Sequence, residues 1–403
     1  MFSSLRPVVQ NATRPFVIGR ASFQLTSARA ENLTWLWLAG VAGGSVVATS
    51  GFLDCDSRPQ RISDNRILGG TTAKHRVGIT AWPFRDPREQ QGLDHIAKGF
   101  QTPADLFQWL SESGYDVVEI TVDDLRTRFW ADLPPREIVT RIKPLCEQFK
   151  VSVCGSLYHV SDGGPPCGPQ MLDYQQPDFF QVVRRKLELE KEMGSEYVTF
   201  QLCLPQRYMN TGGTYRNDDA YLQLSATRIA KLQEIAFDLG FNFYVETHID
   251  RISEDPEAFC KIMDMAPYFE VNADISHYVY RGISKGQHLE RICARVGHSH
   301  QRMARTHGDL SSDLGVTFSE QGTGDGADDW QRKGVTWAAM EAMKPCFEGG
   351  LSSRVIIGES GPAFGVKDGL ALDAKLVPLW KYMARYADSK AQGRTPKEQN
   401  PFE

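Results

Sequence analysis

The sequence has no CxxC pair, no block of lysine and arginine, and no glycine-rich turn after its first β-rich run. Each absence excludes something. The eight cysteines, Cys55, Cys146, Cys154, Cys167, Cys203, Cys260, Cys293 and Cys346, are scattered, several in apolar settings such as VSVCGSL, TFQLCL and RICARV. Thiolate zinc sites built on close cysteine pairs are thereby excluded. A disulfide framework does not suit a chain of 403 residues, so the expectation is reduced, buried thiols. With 45 basic against 50 acidic residues, net −5, and no basic cluster, the chain lacks a nucleic-acid footprint and points to a small-molecule partner. A hydrophobic share of 41% excludes a disordered or collagen-like protein.

Acidic residues are missing from the first 30 positions, where Arg6, Arg14, Arg20 and Arg29 stand among serines and threonines; Glu31 is the first acid. An Arg-bearing, acid-free leader is the composition of an organelle transit peptide, so residues 1–31 are expected to direct mitochondrial import. Charge of either sign is then missing from Asn32 to Leu53, NLTWLWLAGVAGGSVVATSGFL. Such a stretch is long enough for a bilayer, which needs about 20 residues, and Trp35 and Trp37 suit an interface at one end. Its Gly, Ser and Thr keep it only moderately hydrophobic. Two readings stay open for 32–53: an inner-membrane anchor or sorting signal, and a leader that never spans anything. Residues 54–75 are polar and turn-rich and read as a linker.

From there to about residue 390 short β-rich runs alternate with amphipathic stretches. The strands expected are Val77–Trp82, Tyr115–Val122, Val151–Tyr158, Tyr197–Leu202, Phe241–Glu246, Phe269–Asp274, Gly297–Gln301 and Ser353–Gly358. Helices are expected over Pro103–Gly114, Pro135–Phe149, Pro177–Met193, Asp219–Leu239, Pro256–Met265, His288–Val296, Asp329–Pro345 and Ala371–Ala387. Eight strands alternating with helices predict an α/β fold with a parallel sheet, closed as a (β/α)8 TIM barrel over residues 76–390. An open doubly wound sheet would show a phosphate turn after its first strand; here WPFRDPREQ follows. Residues 391–403 are expected to be a flexible tail.

Active sites of such barrels lie at the C-terminal ends of the strands. The fifth strand ends in Val245-Glu246-Thr247-His248, the sixth in Asp274-Ile275-Ser276-His277, the seventh carries His298-Ser299-His300, and the eighth ends in Gly358-Glu359-Ser360. A lone strand-end acid is usually a helix cap or a solvated loop residue, and a lone histidine is more often a satisfied core group than a ligand. Four neighbouring strands delivering such groups together are hard to explain by capping. Glu246, Asp274, His300 and Glu359 offer three hard oxygens and one imidazole, a set for Mn²⁺ or Mg²⁺ that also tolerates Co²⁺ or Zn²⁺. Glu119 and His159 are further candidates for the pocket wall, and Gln201 could hydrogen-bond a hydroxyl. Trp82 and Trp330 are more often core than a sugar platform, and GTGDGADDW (322–330) lacks the Lys-Ser/Thr of a phosphate loop.

The VETH, DISH, GHSH and IIGES segments, in that order, resemble the xylose isomerase-like barrel superfamily in its sugar phosphate isomerase/epimerase branch. The resemblance implies one metal held by Glu246, Asp274, His300 and Glu359, and a substrate contact from His277. It also implies a small carbohydrate substrate, with His248, Gln201, Arg302 and His159 as further candidates to touch it. A metal bridging a carbonyl and its neighbouring hydroxyl acidifies the C–H between them. Glu246 and Glu359 could then move a proton from one face to the other, with His277 and Arg302 steadying the oxyanion.

The chain departs from the ketose 3-epimerases of the superfamily at Ile252, where they carry a further Glu, and at Thr306, where they carry an Arg. An apurinic/apyrimidinic endonuclease would need a His where Gln201 stands and an Asp-x-His pair; Thr306-His307-Gly308-Asp309 has the wrong order. A lyase of the inosose dehydratase type shares the metal set and stays open. A silent binding barrel would have lost a ligand, and all four are present. A homo-oligomer also stays open.

Overall fold

Eight parallel strands close on themselves in the computed structural model of the chain, which describes residues 74–80, 100–162, 171–208, 213–248, 250–274, 277–278, 286–301, 304–306, 316–318, 345–347, 350–359 and 369–394. All of these fall in one unit, residues 59–403. The strands are β1 (Arg76–Thr80), β2 (Val117–Glu119), β3 (Ser152–Ser161), β4 (Met171–Asp173), β5 (Tyr197–Leu202), β6 (Asn242–Glu246), β7 (Glu270–Ala273), β8 (Val296–Gln301), β9 (Ala304–Thr306), β10 (Val316–Phe318) and β11 (Val355–Gly358). Neighbours run β1-β2-β3-β5-β6-β7-β8-β11 and back to β1, every pairing parallel. The expected eight strands are these eight. The short β4 adds to the edge of β3, and β9 with β10 forms a separate antiparallel pair.

The helices are α1 (Pro103–Ser113), α2 (Val122–Phe129), α3 (Pro135–Phe149), α4 (Phe179–Met193), α5 (Asp219–Asp238), α6 (Pro256–Met265), α7 (Gln287–Cys293) and α8 (Gly369–Ala391). Local chemistry sets several of their starts. Thr102 and Asp105 close a capping box around α1, with Pro103 in the first turn. Asp255 caps α6 ahead of Pro256. Helix α2 falls where the second strand was expected to run on to Val122: Thr121 and Asp124 form a second capping box, which ends the strand at Glu119 and turns the chain outward.

The side chains sort by the period of two along each strand. Those facing the helices join one large apolar core, with Val118, Phe200, Val245, Val271 and Ile356 buried in it. Those facing inward form a smaller cluster of Val117, Cys154, Tyr197, Tyr244, Val355 and Ile357. This inner cluster is the filled interior of the barrel. Gly155 makes room for it, because a Cβ there would collide with the Tyr197 ring.

One expectation needs correcting. Cys293, at the end of α7, and Cys346 are joined as a disulfide with Cα atoms 4.3 Å apart, so the eight cysteines are not all free thiols. The fold brings the short helical segment at 345–347 back against α7, an approach that spacing of 53 residues does not reveal. His75, the last residue of the expected linker, meets α8: its Nδ1 lies 2.6 Å from Asp388 Oδ1, and its backbone N–H donates to the same oxygen. Helix α8 also runs to Ala391, one residue into the expected tail. The leader 1–31, the apolar stretch 32–53, Trp82, Arg302, Trp330, the glycine-rich 322–330 and the expected helix over 329–344 lie outside the described residues. Among the described residues no helix is long and apolar enough to cross a membrane.

A buried carboxyl behind the barrel gives the fold a pH dependence of its own. Glu190 of α4 accepts hydrogen bonds from Tyr158 Oη (2.6 Å), Val122 N (3.0 Å) and Ser156 Oγ (3.1 Å). Burial, only partly offset by those donors, pushes its carboxyl up to about 8. In the unfolded chain the same group titrates near the ordinary value of about 4.3. Between these values the folded state holds a proton that the unfolded state has lost, so stability is full at low pH and falls as pH rises toward 8. Glu190→Gln keeps the shape and removes the titration. Its melting temperature should fall less than the parent's between pH 5 and pH 8.5; an equal fall in both proteins would contradict this account.

Candidate active site

The strand register sets the polar residues at one level. Thr80 pairs with Glu119, Glu246 with Asn272 and Ile357 with His300. Asp274 and Glu359 follow β7 and β11 directly, and the backbone N–H of Glu359 continues the ladder to Gln301 O at 2.8 Å. All these groups therefore stand at the C-terminal ends of the strands, above the inner cluster. Glu246, Asp274 and His300 are fully buried, and Glu359 is 4% exposed.

Glu246 is the centre of the arrangement. One group of possible ligand atoms joins it to His300 and Glu359, a second joins it to Asp274 and His277, and within each group the atoms lie within 4.8 Å of one another. His300 Nδ1 lies 3.0 Å from Glu359 Oε2 and 3.3 Å from Glu246 Oε1, and His277 Nε2 lies 3.2 Å from Asp274 Oδ2. The four residues read as ligands are thus brought together, with Asp274 reaching the others through Glu246.

Neighbouring side chains hold the acids in place. Gln201 Nε2 donates to Glu246 Oε2 at 2.8 Å, and Arg251 Nε donates to Gln201 Oε1 at 3.1 Å. Ser253 Oγ donates to the Glu246 carbonyl at 2.6 Å and accepts from His248 N at 3.0 Å. Thr247 Oγ1 accepts from Asp274 N at 2.8 Å. The His248 and His277 rings meet at a tilt of 42° with centroids 3.8 Å apart, and His277 lies beside Asp274. His159 is buried opposite Gln201 in the β3–β5 register. Arg251, Ser253 and Thr247 escaped the sequence reading. Arg251 leaves no trace in strand periodicity, because it sits in the turn after β6, where it bridges to Cys203.

The electrostatics are those of a cation site. Burial, together with Glu359 and Asp274 and despite the pull of His300, raises the Glu246 carboxyl above its usual range. Burial lowers the His300 imidazole, but the charges of Glu119 and Glu246 outweigh this and hold it well above its usual value. Both shifts have one origin, a cluster of carboxylates whose potential retains positive charge. Glu246 Oε1 is buried and accepts no hydrogen bond. A buried carboxylate oxygen that meets the His300 nitrogen at 3.3 Å without a hydrogen bond, beside two more carboxylates, fits a hard divalent cation.

The family model agrees with this architecture. A family model described as xylose isomerase-like TIM barrel matches residues 107–332. No curated protein matches the sequence. Among solved structures, a xylose isomerase-like TIM barrel protein from Mycobacterium smegmatis in complex with magnesium is 14% identical, at TM-score 0.48 over 80% of this chain and 100% of that one. An L-ribulose 3-epimerase is 13% identical, at TM-score 0.48 over 81% and 100%. The probable 3-DHS dehydratase AsbF of Bacillus anthracis is 10% identical, at TM-score 0.47 over 75% and 98%.

Proposed function

The chain belongs to the xylose isomerase-like TIM barrel family, and we propose that it is a divalent-metal-dependent isomerase or epimerase of a small polyhydroxy carbonyl compound. The observation that carries this reading is Glu246, a buried carboxylate shared between two groups of ligand atoms with one oxygen free of hydrogen bonds. Glu246, Asp274, His300 and Glu359 would hold the ion, Mn²⁺ or Mg²⁺ by the hardness of the donors. The ion would supply Lewis acidity toward a carbonyl oxygen and its neighbouring hydroxyl.

The chain's own residues do the rest. Gln201 fixes one oxygen of Glu246, so the carboxylate cannot rotate away from the substrate side. Glu246 and Glu359 come from strands separated by β7 and β8 and approach the site from different walls. That placement suits a pair in which one removes a proton and the other returns it. His277, beside Asp274, and His248, tilted against the His277 ring, would meet substrate hydroxyls. Ile252 is buried at the position where the family's ketose 3-epimerases carry a further Glu, so that subclass is not the one proposed.

Metal analysis and solvent exchange test the reading together. The purified chain should bind one divalent ion. With that ion it should incorporate deuterium from D₂O at the carbon next to the carbonyl of at least one ketose or inosose in a panel. Loss of water from an inosose without isomerisation would make the protein a lyase of the dehydratase type instead. Cleavage of abasic-site DNA with every sugar untouched would overturn both. We also propose that residues 1–31 direct mitochondrial import; unchanged distribution of a tagged protein after their deletion would exclude it.

A further inference from the structure

Beneath His300 lies a second set of buried polar side chains that the proposed chemistry does not use. Glu119, the last residue of β2, is 1% exposed. His300 Nε2 lies 3.2 Å from each of its carboxylate oxygens. Its Oε2 also accepts the Tyr197 hydroxyl at 3.0 Å, and His298 Nε2 stands 3.5 Å from the same oxygen. Tyr197 is fixed in turn. Its ring packs on His298 with centroids 4.3 Å apart and meets Tyr244 edge-on at 5.7 Å, and its hydroxyl lies 3.5 Å from Cys154 Sγ. His298 is anchored at its other nitrogen, where Nδ1 lies 2.9 Å from Ser353 Oγ.

His300 therefore stands between two acidic groups, Glu119 at Nε2 and the Glu246–Glu359 pair at Nδ1. A neutral imidazole has one N–H and one lone pair, and the partner of one nitrogen decides the role of the other. A carboxylate fixed at Nε2 keeps the proton on that side. The lone pair is then left on Nδ1, the nitrogen turned toward Glu246 and Glu359.

We propose that Glu119 is a positioning residue for the cation site. It fixes the Nε2–H tautomer and the ring plane of His300, and Tyr197 holds the carboxylate that does so. The inference rests on the reading that Glu246, Asp274, His300 and Glu359 bind a divalent ion. Partners of this kind, which take the second N–H of a ligating histidine, typically change metal affinity by about 10–100-fold when removed. Glu119, His298 and His300 could themselves group around an ion. The Tyr197 hydroxyl already donated to Oε2, and the imidazole 3.2 Å from both oxygens, favour the relay over that second site.

Two measurements on the full chain test the proposal. The first is calorimetric titration with Mn²⁺, with folding checked by circular dichroism. The parent should bind one ion, Glu119→Ala should bind it about 10–100-fold more weakly, and Glu119→Gln should lose far less, because its amide oxygen still accepts from Nε2–H. Equal affinity in the parent and E119A would overturn the positioning role. Two ions on the parent and one on E119A would overturn it in favour of a second cation site. No binding by the parent would remove the underlying reading instead. The second measurement needs no substitution at Glu119 and covers the case in which E119A does not fold. Nitrogen-15 spectra of histidine-labelled, Zn²⁺-loaded parent protein, with the His300 signal assigned through His300→Gln, should show Nε2 protonated and Nδ1 not. The opposite tautomer would overturn the proposal.

Discussion

Glu246→Gln is expected to abolish turnover, lowering it by about 10⁴-fold or more, while leaving the protein at least as stable as its parent. Removing a general acid–base group typically costs about 10²–10⁴ in rate, and this substitution also strikes the ion. Gln201 Nε2 donates to Glu246 Oε2, so a glutamine at 246 must turn its carbonyl toward Gln201. Its NH₂ group then takes the place of Oε1, the oxygen that lies 3.3 Å from His300 and accepts no hydrogen bond. A donor that cannot ligate would stand where a ligand is needed. Stability should go the other way. Burial and the charges of Glu359 and Asp274 make ionised Glu246 unfavourable, and an uncharged isostere relieves that cost. The check is a pair of measurements on one preparation, exchange of the substrate's α-hydrogen with solvent and melting temperature in chelator. Activity within tenfold of the parent would contradict the role given to Glu246. Glu359→Gln should behave alike in activity.

The second large effect is on ion binding as pH changes. The charges of Glu119 and Glu246 keep His300 protonated well above the pH at which an ordinary histidine loses its charge. Where no ion is bound, the ring carries a proton on Nδ1 that a metal must displace. Affinity should therefore rise with pH, by about tenfold per unit for one displaced proton. An unperturbed histidine, with a pKa of about 6.5, would let the curve flatten near neutrality; here the rise should continue past pH 7. Titration with Mn²⁺ between pH 6 and pH 8.5, in buffers of different ionisation enthalpy, reads both the slope and the protons released. A flat affinity above pH 7 would show that His300 is neutral without the ion.

Much of this was legible in the chain, for identifiable reasons. The helix starts at Pro103, Pro135 and Pro256 could be read because proline and the capping residues act locally. The barrel could be read because parallel strands buried on both faces leave short β-rich runs, mostly apolar, such as YVTFQL. The acids at the ends of β6, β7 and β11 could be read because strand ends are where such a fold exposes its inner face. What escaped depends on contacts between distant parts of the chain. Glu119 meets His300 across 181 residues, and neither residue's neighbours announce the other. Cys293 and Cys346 meet across 53 residues, a pairing no periodicity encodes. Helix α2 escaped for the opposite reason. Its capping box was present, but the apolar YDVVEITV run concealed the break at Thr121.

The aromatic interior of the barrel bears on how such a protein can diverge. Tyr197, Tyr244 and His298 pack on one another directly below the acidic cluster, and Gly155 is needed to admit one of them. A change to any of these residues shifts the base on which Glu119 and His300 stand, so drift there is constrained by several partners at once. A descendant acquiring a new substrate would be expected to keep the tyrosines and Gly155, together with the Thr247, Arg251 and Ser253 contacts that hold the acids. Paralogues should then differ most in what they recognise and least in the layer that never touches it.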